Sequence, residues 1–169
     1  MNDKVYILLG SNLEDRANNL ETALSKLATI DEIEILNKSG VYNSPAMEMN
    51  EPAPDFLNQV IEIGTELSPI ELLHELKQIE IDMGRMDKGK YRSRNIDLDI
   101  LMYGEKVIET DELTIPQARM LKRTFALVPL SEIAPELIHP VTKEKIRNYV
   151  SESDYNIVVK IEEHAAASS

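Results

Sequence analysis

Apolar and polar residues alternate along this chain with two periods, and the switches between those periods mark out its elements. Residues 5–9, VYILL, form a short apolar run closed by Gly10, Ser11 and Asn12, which predicts a buried strand ending in a turn. Leu20, Ala23, Leu24, Leu27 and Ala28 recur at helical spacing and predict an amphipathic helix over residues 16–30. The period then falls to two. Ile33, Ile35, Asn37, Ser39 and Val41 are expected on one side of a half-buried strand. Residues 43–55, NSPAMEMNEPAPD, carry three prolines and no period, and predict a loop of functional size. Over residues 56–67 a strand pattern returns, with Leu57, Ile61 and Ile63 on one side and Asn58 and Val60 on the other. Ser68-Pro69-Ile70-Glu71 then forms a capping box with proline at the first helical position. Leu72, Leu73, Leu76, Ile79 and Met83 supply the apolar stripe of this second helix, and Gly84 stands at its C-cap.

Residues 96–102 read IDLDILM. Simple alternation places Ile96, Leu98, Ile100 and Met102 on one face and Asp97 and Asp99 on the other. The order of elements to this point is β-α-β-β-α-β, which predicts an α+β fold of the ferredoxin-like kind with both helices on one sheet face. Residues 103–150 predict a C-terminal hairpin followed by short helices broken at Pro116, Pro129, Pro135 and Pro140. The length of 169 residues, 43% of them hydrophobic, suits one domain over residues 1–160, with a polar tail at 161–169.

Composition narrows the chemistry. Cysteine is absent, which excludes disulfides, iron–sulfur clusters, thiolate zinc sites and a cysteine nucleophile. No stretch approaches the ~20 apolar residues of a membrane span, so a soluble, cytoplasmic protein is expected. A net charge of −12 argues against nucleic-acid and anionic-membrane partners. Against that background, RMDKGKYRSR concentrates Arg85, Lys88, Lys90, Arg92 and Arg94, five of the eighteen basic residues, beside Asp87. The acid pair follows at once. Residues i and i+2 on a strand point the same way with Cα atoms roughly 6.6 Å apart, so two carboxylates there repel unless a cation lies between them. An isolated pair of this kind is more often a solvated sheet face. Directly after five cations, it reads as carboxylates holding a phosphate's magnesium while the cations grip the phosphate. Glu80 shares a helix side with Leu73, Leu76 and Met83, which predicts a buried acid with Arg85 or Arg94 as its partner, or a last-turn glutamate with its head in water.

KYRSRNIDLDIL resembles the signature of the 6-hydroxymethyl-7,8-dihydropterin pyrophosphokinases, a family of folate-pathway enzymes. VYILLGSNL is similar to the family's first strand and turn, and VYNSPAM to its substrate loop. PDFLNQV, ELLHELKQIEIDMGR, LTIP, KRTFALVPL and EIAPEL follow in the family's order, so the resemblance spans residues 4–150. It implies an ATP-dependent diphosphokinase of ferredoxin-like fold that passes the β,γ-pyrophosphoryl group of ATP to the pterin's hydroxymethyl oxygen, releasing AMP. A monomer acting on ATP and the pterin is the expected form. By position, Asp97 and Asp99 would hold two magnesium ions. Arg85 and Arg94 would line the phosphate channel, with Lys90, Tyr91 and Arg123 close by. Glu80, Thr114 and Gln117 would belong to the nucleotide side, where backbone near Ile100 would read the adenine. Phe56 and Phe125, the only two phenylalanines, fall at the family's stacking positions. Asn58 matches the residue that reads the pterin edge, and Ser44, Pro45 and Met47 match the loop that touches its ring.

The sequence departs from the family at Arg92-Ser93, where a small pair such as Gly-Pro is usual, and at Gln117-Ala118, where a histidine is usual after the proline. Glutamine donates a hydrogen bond but carries no positive charge. Asp87 and Tyr91 also stand where basic and tryptophan side chains are common. His74, His139 and His164 form no pair at metal spacing, and no serine sits in a nucleophile elbow, which favours direct transfer between bound substrates. The general base is left open between Asp97 and a hydroxyl acidified by metal. Two rival readings are a non-catalytic ferredoxin-like binding module and a two-metal phosphohydrolase that uses water.

Overall fold

The chain begins with β1 (Lys4–Ser11), α1 (Arg16–Ala28), β2 (Ile33–Lys38), β3 (Tyr42–Ser44), β4 (Phe56–Thr65) and α2 (Pro69–Met83). It continues through β5 (Met86–Asp87), β6 (Lys90–Tyr91), β7 (Asp97–Tyr103), β8 (Ile108–Glu109), β9 (Thr114–Ile115), α3 (Thr124–Ile133), α4 (Asp154–Ile157) and β10 (Val159–Lys160). The computed structural model describes residues 4–11, 16–44, 56–84, 86–87, 90–91 and 96–161, with backbone alone for Arg16, Met86, Asp87, Lys90 and Tyr91. Among the described residues no helix is long and apolar enough to cross a membrane.

The main sheet is antiparallel with strand order β10-β3-β4-β1-β7, and β2 also pairs with β4. Within it, β2-β4-β1-β7 is the ferredoxin-like order expected from the βαββαβ pattern. Both long helices cover one face. Leu20, Ala23 and Leu27 of α1 and Leu72, Leu76, Ile79 and Met83 of α2 pack there against Val5, Ile7, Leu9, Leu57, Ile61, Ile63, Leu98 and Ile100. The capping box that starts α2 is complete: Glu71 N–H donates to Ser68 Oγ (3.2 Å) and Ser68 N–H to Glu71 Oε1 (2.9 Å). Gly84 ends the helix as expected, but in extended rather than left-handed backbone, with its N–H donating to Glu80 O (2.8 Å).

The opposite face carries a second core. Tyr6, Leu8, Val60, Leu101 and Met102 meet Ala126, Leu127 and Leu130 of α3, together with Met120 and Ile146 from two short 3-10 turns. Here the structure corrects the alternation read for residues 96–102. Ile7 pairs with Ile100 but Tyr6 with Met102, so Leu101 is an extra residue, a β-bulge that reverses the phase. Ile96, Leu98 and Ile100 face α1 and α2, whereas Met102 faces α3 and Tyr103 returns to the first core. Its hydroxyl donates to Leu67 O. Leu36 is a second bulge, on β2, so Ile35 and Asn37 do not share a side, and the strand expected to reach Val41 ends at Lys38. Asn43 and Ser44 belong to β3 rather than to the predicted loop, whose remaining residues, 45–55, lie outside the described ones.

The predicted break at Pro129 does not occur: α3 runs through it from Thr124 to Ile133. Proline removes one helical donor and crowds the preceding turn. Ala126, Leu127, Val128 and Leu130 are all buried around it, and that tertiary packing outweighs the local cost.

His139 is nearly buried beyond α3, and its Nδ1 accepts from the N–H groups of Val141 (3.2 Å) and Thr142 (3.3 Å). Burial holds its pKa below the usual imidazole value. The unfolded chain therefore binds the proton first, starting near pH ~6.5, and the folded chain only at lower pH. The stability that neutral His139 contributes is complete above that point and is lost as pH falls from it toward the folded pKa. Urea midpoints are thus expected to drop between about pH 7.5 and about pH 5.5 in the native protein, and to drop less in His139→Asn, which keeps an acceptor that does not titrate in this range.

Candidate active site

Of the candidate residues, Asp97, Asp99, Asn58 and Phe56 share the α3 face of the sheet, at the end where β1 runs out into Gly10 and Ser11. Cross-strand register aligns Asp97 with Gly10, Gly10 with Asn58, and Asn58 with Tyr42. One row therefore runs from a carboxylate, past a position with no side chain, to a carboxamide. Strands lie ~4.8 Å apart, so Asp97 and Asn58 are about 10 Å apart across Gly10. A Cβ on Gly10 would sit 2.9 Å from Asn58 Nδ2, which makes glycine the residue that keeps this row open. Asn58 itself is buried, and its Oδ1 accepts from Ser44 Oγ (2.8 Å). Phe56, half-buried, stands in the same alternation as Asn58 and Val60 at the start of β4.

Asp99 lies in the next row, opposite Leu8. Asp97 and Asp99 are both half-buried, each between buried apolar neighbours in sequence, so they are the polar entries on an otherwise apolar strand. Gln117 leans on the second of them. Its backbone N–H donates to Leu101 O (2.9 Å) and its Nε2 to Asp99 Oδ2 (3.3 Å), while its Oε1 is buried and accepts no hydrogen bond from the described residues. The residues fit a hard divalent cation. They supply oxygen donors only, a buried acceptor lies unused beside the carboxylates, and no further His, Cys, Asp or Glu crowds the pair among the described residues, leaving coordination to water and phosphate.

Glu80 is buried at the end of α2, so of its two readings the buried acid holds and the head in water does not. Its Oε2 accepts from Leu98 N–H (2.7 Å), tying the helix to the outer edge of β7 between the two aspartates. No side-chain pattern reveals a backbone donor of that kind. Arg85 and Arg94, the expected cations, lie outside the described residues, as do Pro45 and Met47. Lys90 and Tyr91 form β6, which pairs with β5 in a separate ribbon. The Ile100 side chain is buried in the first core, and alternation from Leu98 turns its backbone groups toward the open edge of β7. Thr114 is exposed on the β8–β9 hairpin, three residues before Gln117. At the start of α3, Arg123 holds its guanidinium carbon 5.7 Å from the centroid of the half-buried Phe125 ring, which joins a cation to an aromatic face.

The sheet is ferredoxin-like, with an acid pair at one end of a polar row and an amide at the other. The profile of the family described as 7,8-dihydro-6-hydroxymethylpterin-pyrophosphokinase (HPPK) matches residues 6–135. The 2-amino-4-hydroxy-6-hydroxymethyldihydropteridine pyrophosphokinase of Haemophilus influenzae is 41% identical over 135 residues, covering 80% of this chain and 84% of that protein. The enzyme of the same name from Aquifex aeolicus is 40% identical over 149 residues, 88% of this chain and 91% of that one. In fold, the chain is similar to the crystal structure of Plasmodium falciparum HPPK-DHPS with pteroate, at a TM-score of 0.71 and 16% identity, spanning 88% of this chain and 42% of that longer one. The chain belongs to the 7,8-dihydro-6-hydroxymethylpterin pyrophosphokinase family.

Proposed function

We propose that the row Asp97–Gly10–Asn58 is the floor on which the family's two substrates meet, with ATP phosphates over the acid pair and the pterin against Asn58. The chain is an ATP-dependent pyrophosphokinase of folate biosynthesis: it transfers the pyrophosphoryl group of ATP to 6-hydroxymethyl-7,8-dihydropterin, giving the pterin diphosphate and AMP. The single observation that carries the site reading is that row, because it puts carboxylates and carboxamide on one surface, separated by about the span of a two-ring heterocycle and its hydroxymethyl arm.

Asp97 and Asp99 hold magnesium in this reading, as two ions. Bound there, magnesium would supply positive charge to offset that of the phosphates and to make the hydroxymethyl group more acidic. Gln117 Nε2 steadies the Asp99 carboxylate, and Arg85, Arg94, Lys90, Tyr91 and Arg123 meet phosphate. Glu80 fixes the edge of β7 on which Ile100 presents backbone to the adenine, with Thr114 on the same flank. On the pterin side Phe56 and Phe125 stack on the ring faces, and Ser44, Pro45 and Met47 line the rim. Ser44 also fixes the Asn58 amide so that its Nδ2 and remaining lone pair can read a donor–acceptor edge. A single domain over residues 1–160 with a tail at 161–169, acting as a monomer, completes the reading.

One incubation tests it. With magnesium, ATP and the hydroxymethyl-dihydropterin, AMP is expected only when the pterin is present. ADP, or nucleotide hydrolysis at the same rate without pterin, would overturn the assignment of this row to pyrophosphoryl transfer.

A further inference from the structure

β3 is three residues long, and a ladder that short holds its place only with help from elsewhere. On its inner side it pairs with β4 through Tyr42–Asn58, Asn43–Leu57 and Ser44–Phe56. On its outer side β10 adds Val159–Asn43 and Lys160–Tyr42, and Ile161 N–H donates to Val41 O (2.8 Å). Val158 is buried in a small third core with Tyr42 and Val128. Next to it, Lys160 Nζ reaches Glu132 Oε2 of α3 (3.1 Å), while Glu132 Oε1 accepts from Tyr42 Oη–H (2.8 Å) and from Gly40 N–H (3.0 Å). One carboxylate thus gathers β10, β3 and the segment before β3. Burial opposes the charge of Glu132, but the bonds from Tyr42, Gly40 and Lys160 outweigh it and its pKa is lowered. Gly40 is the slot for the lysine stem, since a Cβ there would lie 2.4 Å from Lys160 Cε.

The strand held this way delivers Ser44 Oγ to Asn58 Oδ1. An asparagine amide has two orientations related by a flip; with Ser44 Oγ–H donating to Oδ1, Nδ2 lies toward Gly10. We infer that residues 158–161 form a clamp that fixes β3 through Lys160 and Glu132, and that through Ser44 it orients the Asn58 amide for the pterin; Lys160 and Glu132 are positioning residues for that substrate. The inference rests on the reading of Asn58 given above. The clamp strand lies beyond residues 6–135, the part of the chain that the family profile matches.

The test uses the full chain, with calorimetric affinities for ATP analogue with magnesium and for pterin in the presence of that analogue. Lys160→Met keeps the stem and loses the charge, Gly40→Ala displaces the stem, and Lys160→Arg restores the ion pair. Pterin dissociation constants are expected to rise about tenfold in the first two and to return to within about twofold of native in the third, with ATP-analogue affinity unchanged throughout. Asn58→Ala is the control. If it weakens pterin binding while Lys160→Met and Gly40→Ala do not, or weaken both ligands alike, the clamp has no positioning role. If Asn58→Ala leaves pterin affinity intact, the reading of the pocket fails and the inference falls with it.

Discussion

Alanine at Asp97 or at Asp99 is expected to lower kcat by about a thousandfold or more, on the order of 4 kcal/mol or beyond, with the fold intact. Pyrophosphoryl transfer leaves little covalent chemistry to side chains, so most of the barrier reduction comes from charge held in place around the phosphates. Either truncation removes half of the carboxylate pair. The fold is expected to survive because both residues are half-buried on the sheet face outside the apolar cores, although Asp99→Ala also gives up the bond from Gln117 Nε2. Steady-state AMP formation measures the loss, magnesium titration by calorimetry locates it, and an unchanged urea midpoint shows that folding is preserved. A well-folded variant with near-native turnover would remove that aspartate from the site.

The second large effect is expected at Phe125. Its replacement by alanine should weaken pterin binding by roughly 1–3 kcal/mol if ring stacking here matches that on nucleobases, with Phe56→Ala behaving similarly. Phe125 also packs against the second and third cores, so the variant loses some stability as well. The guanidinium of Arg123 loses the ring beneath it, a contact of about 0.5–1 kcal/mol, so a smaller loss of nucleotide affinity accompanies the main effect. Calorimetry with each ligand separates the two. Unchanged pterin affinity in both variants would dismiss the stacking model.

Much of the framework is local and was therefore legible in the sequence. Period-two and period-3.6 patterns marked the strands and helices of the ferredoxin-like unit, the capping box placed the start of α2, and strand alternation set both aspartates on one face. What escaped depends on partners distant along the chain. The bulges at Leu36 and Leu101 each consist of one residue that the neighbouring strand does not match, and only pairing reveals such an excess. The continuity of α3 through Pro129 comes from burial on surfaces built by other elements. Glu80 could be read as buried, but its backbone partner on Leu98 carries no side-chain signal. The Glu132–Lys160 pair joins residues that look in sequence like ordinary surface charges. Asn58, Phe56 and Phe125 stood out only through the family resemblance, since isolated residues of these types are usually structural.

The bulge at Leu101 insulates two jobs within β7. Followed backward from Tyr103 in strict alternation, the strand would turn Asp97 and Asp99 onto the side of α1 and α2 and drive two carboxylates into a dry core. The extra residue resets the phase. The anchoring end can keep Tyr103 against the Leu67 carbonyl while the other end keeps its acids half-buried on the α3 side. The two halves of the strand are thereby free to change separately: the polar positions 97 and 99 can drift without repacking residues 102–103.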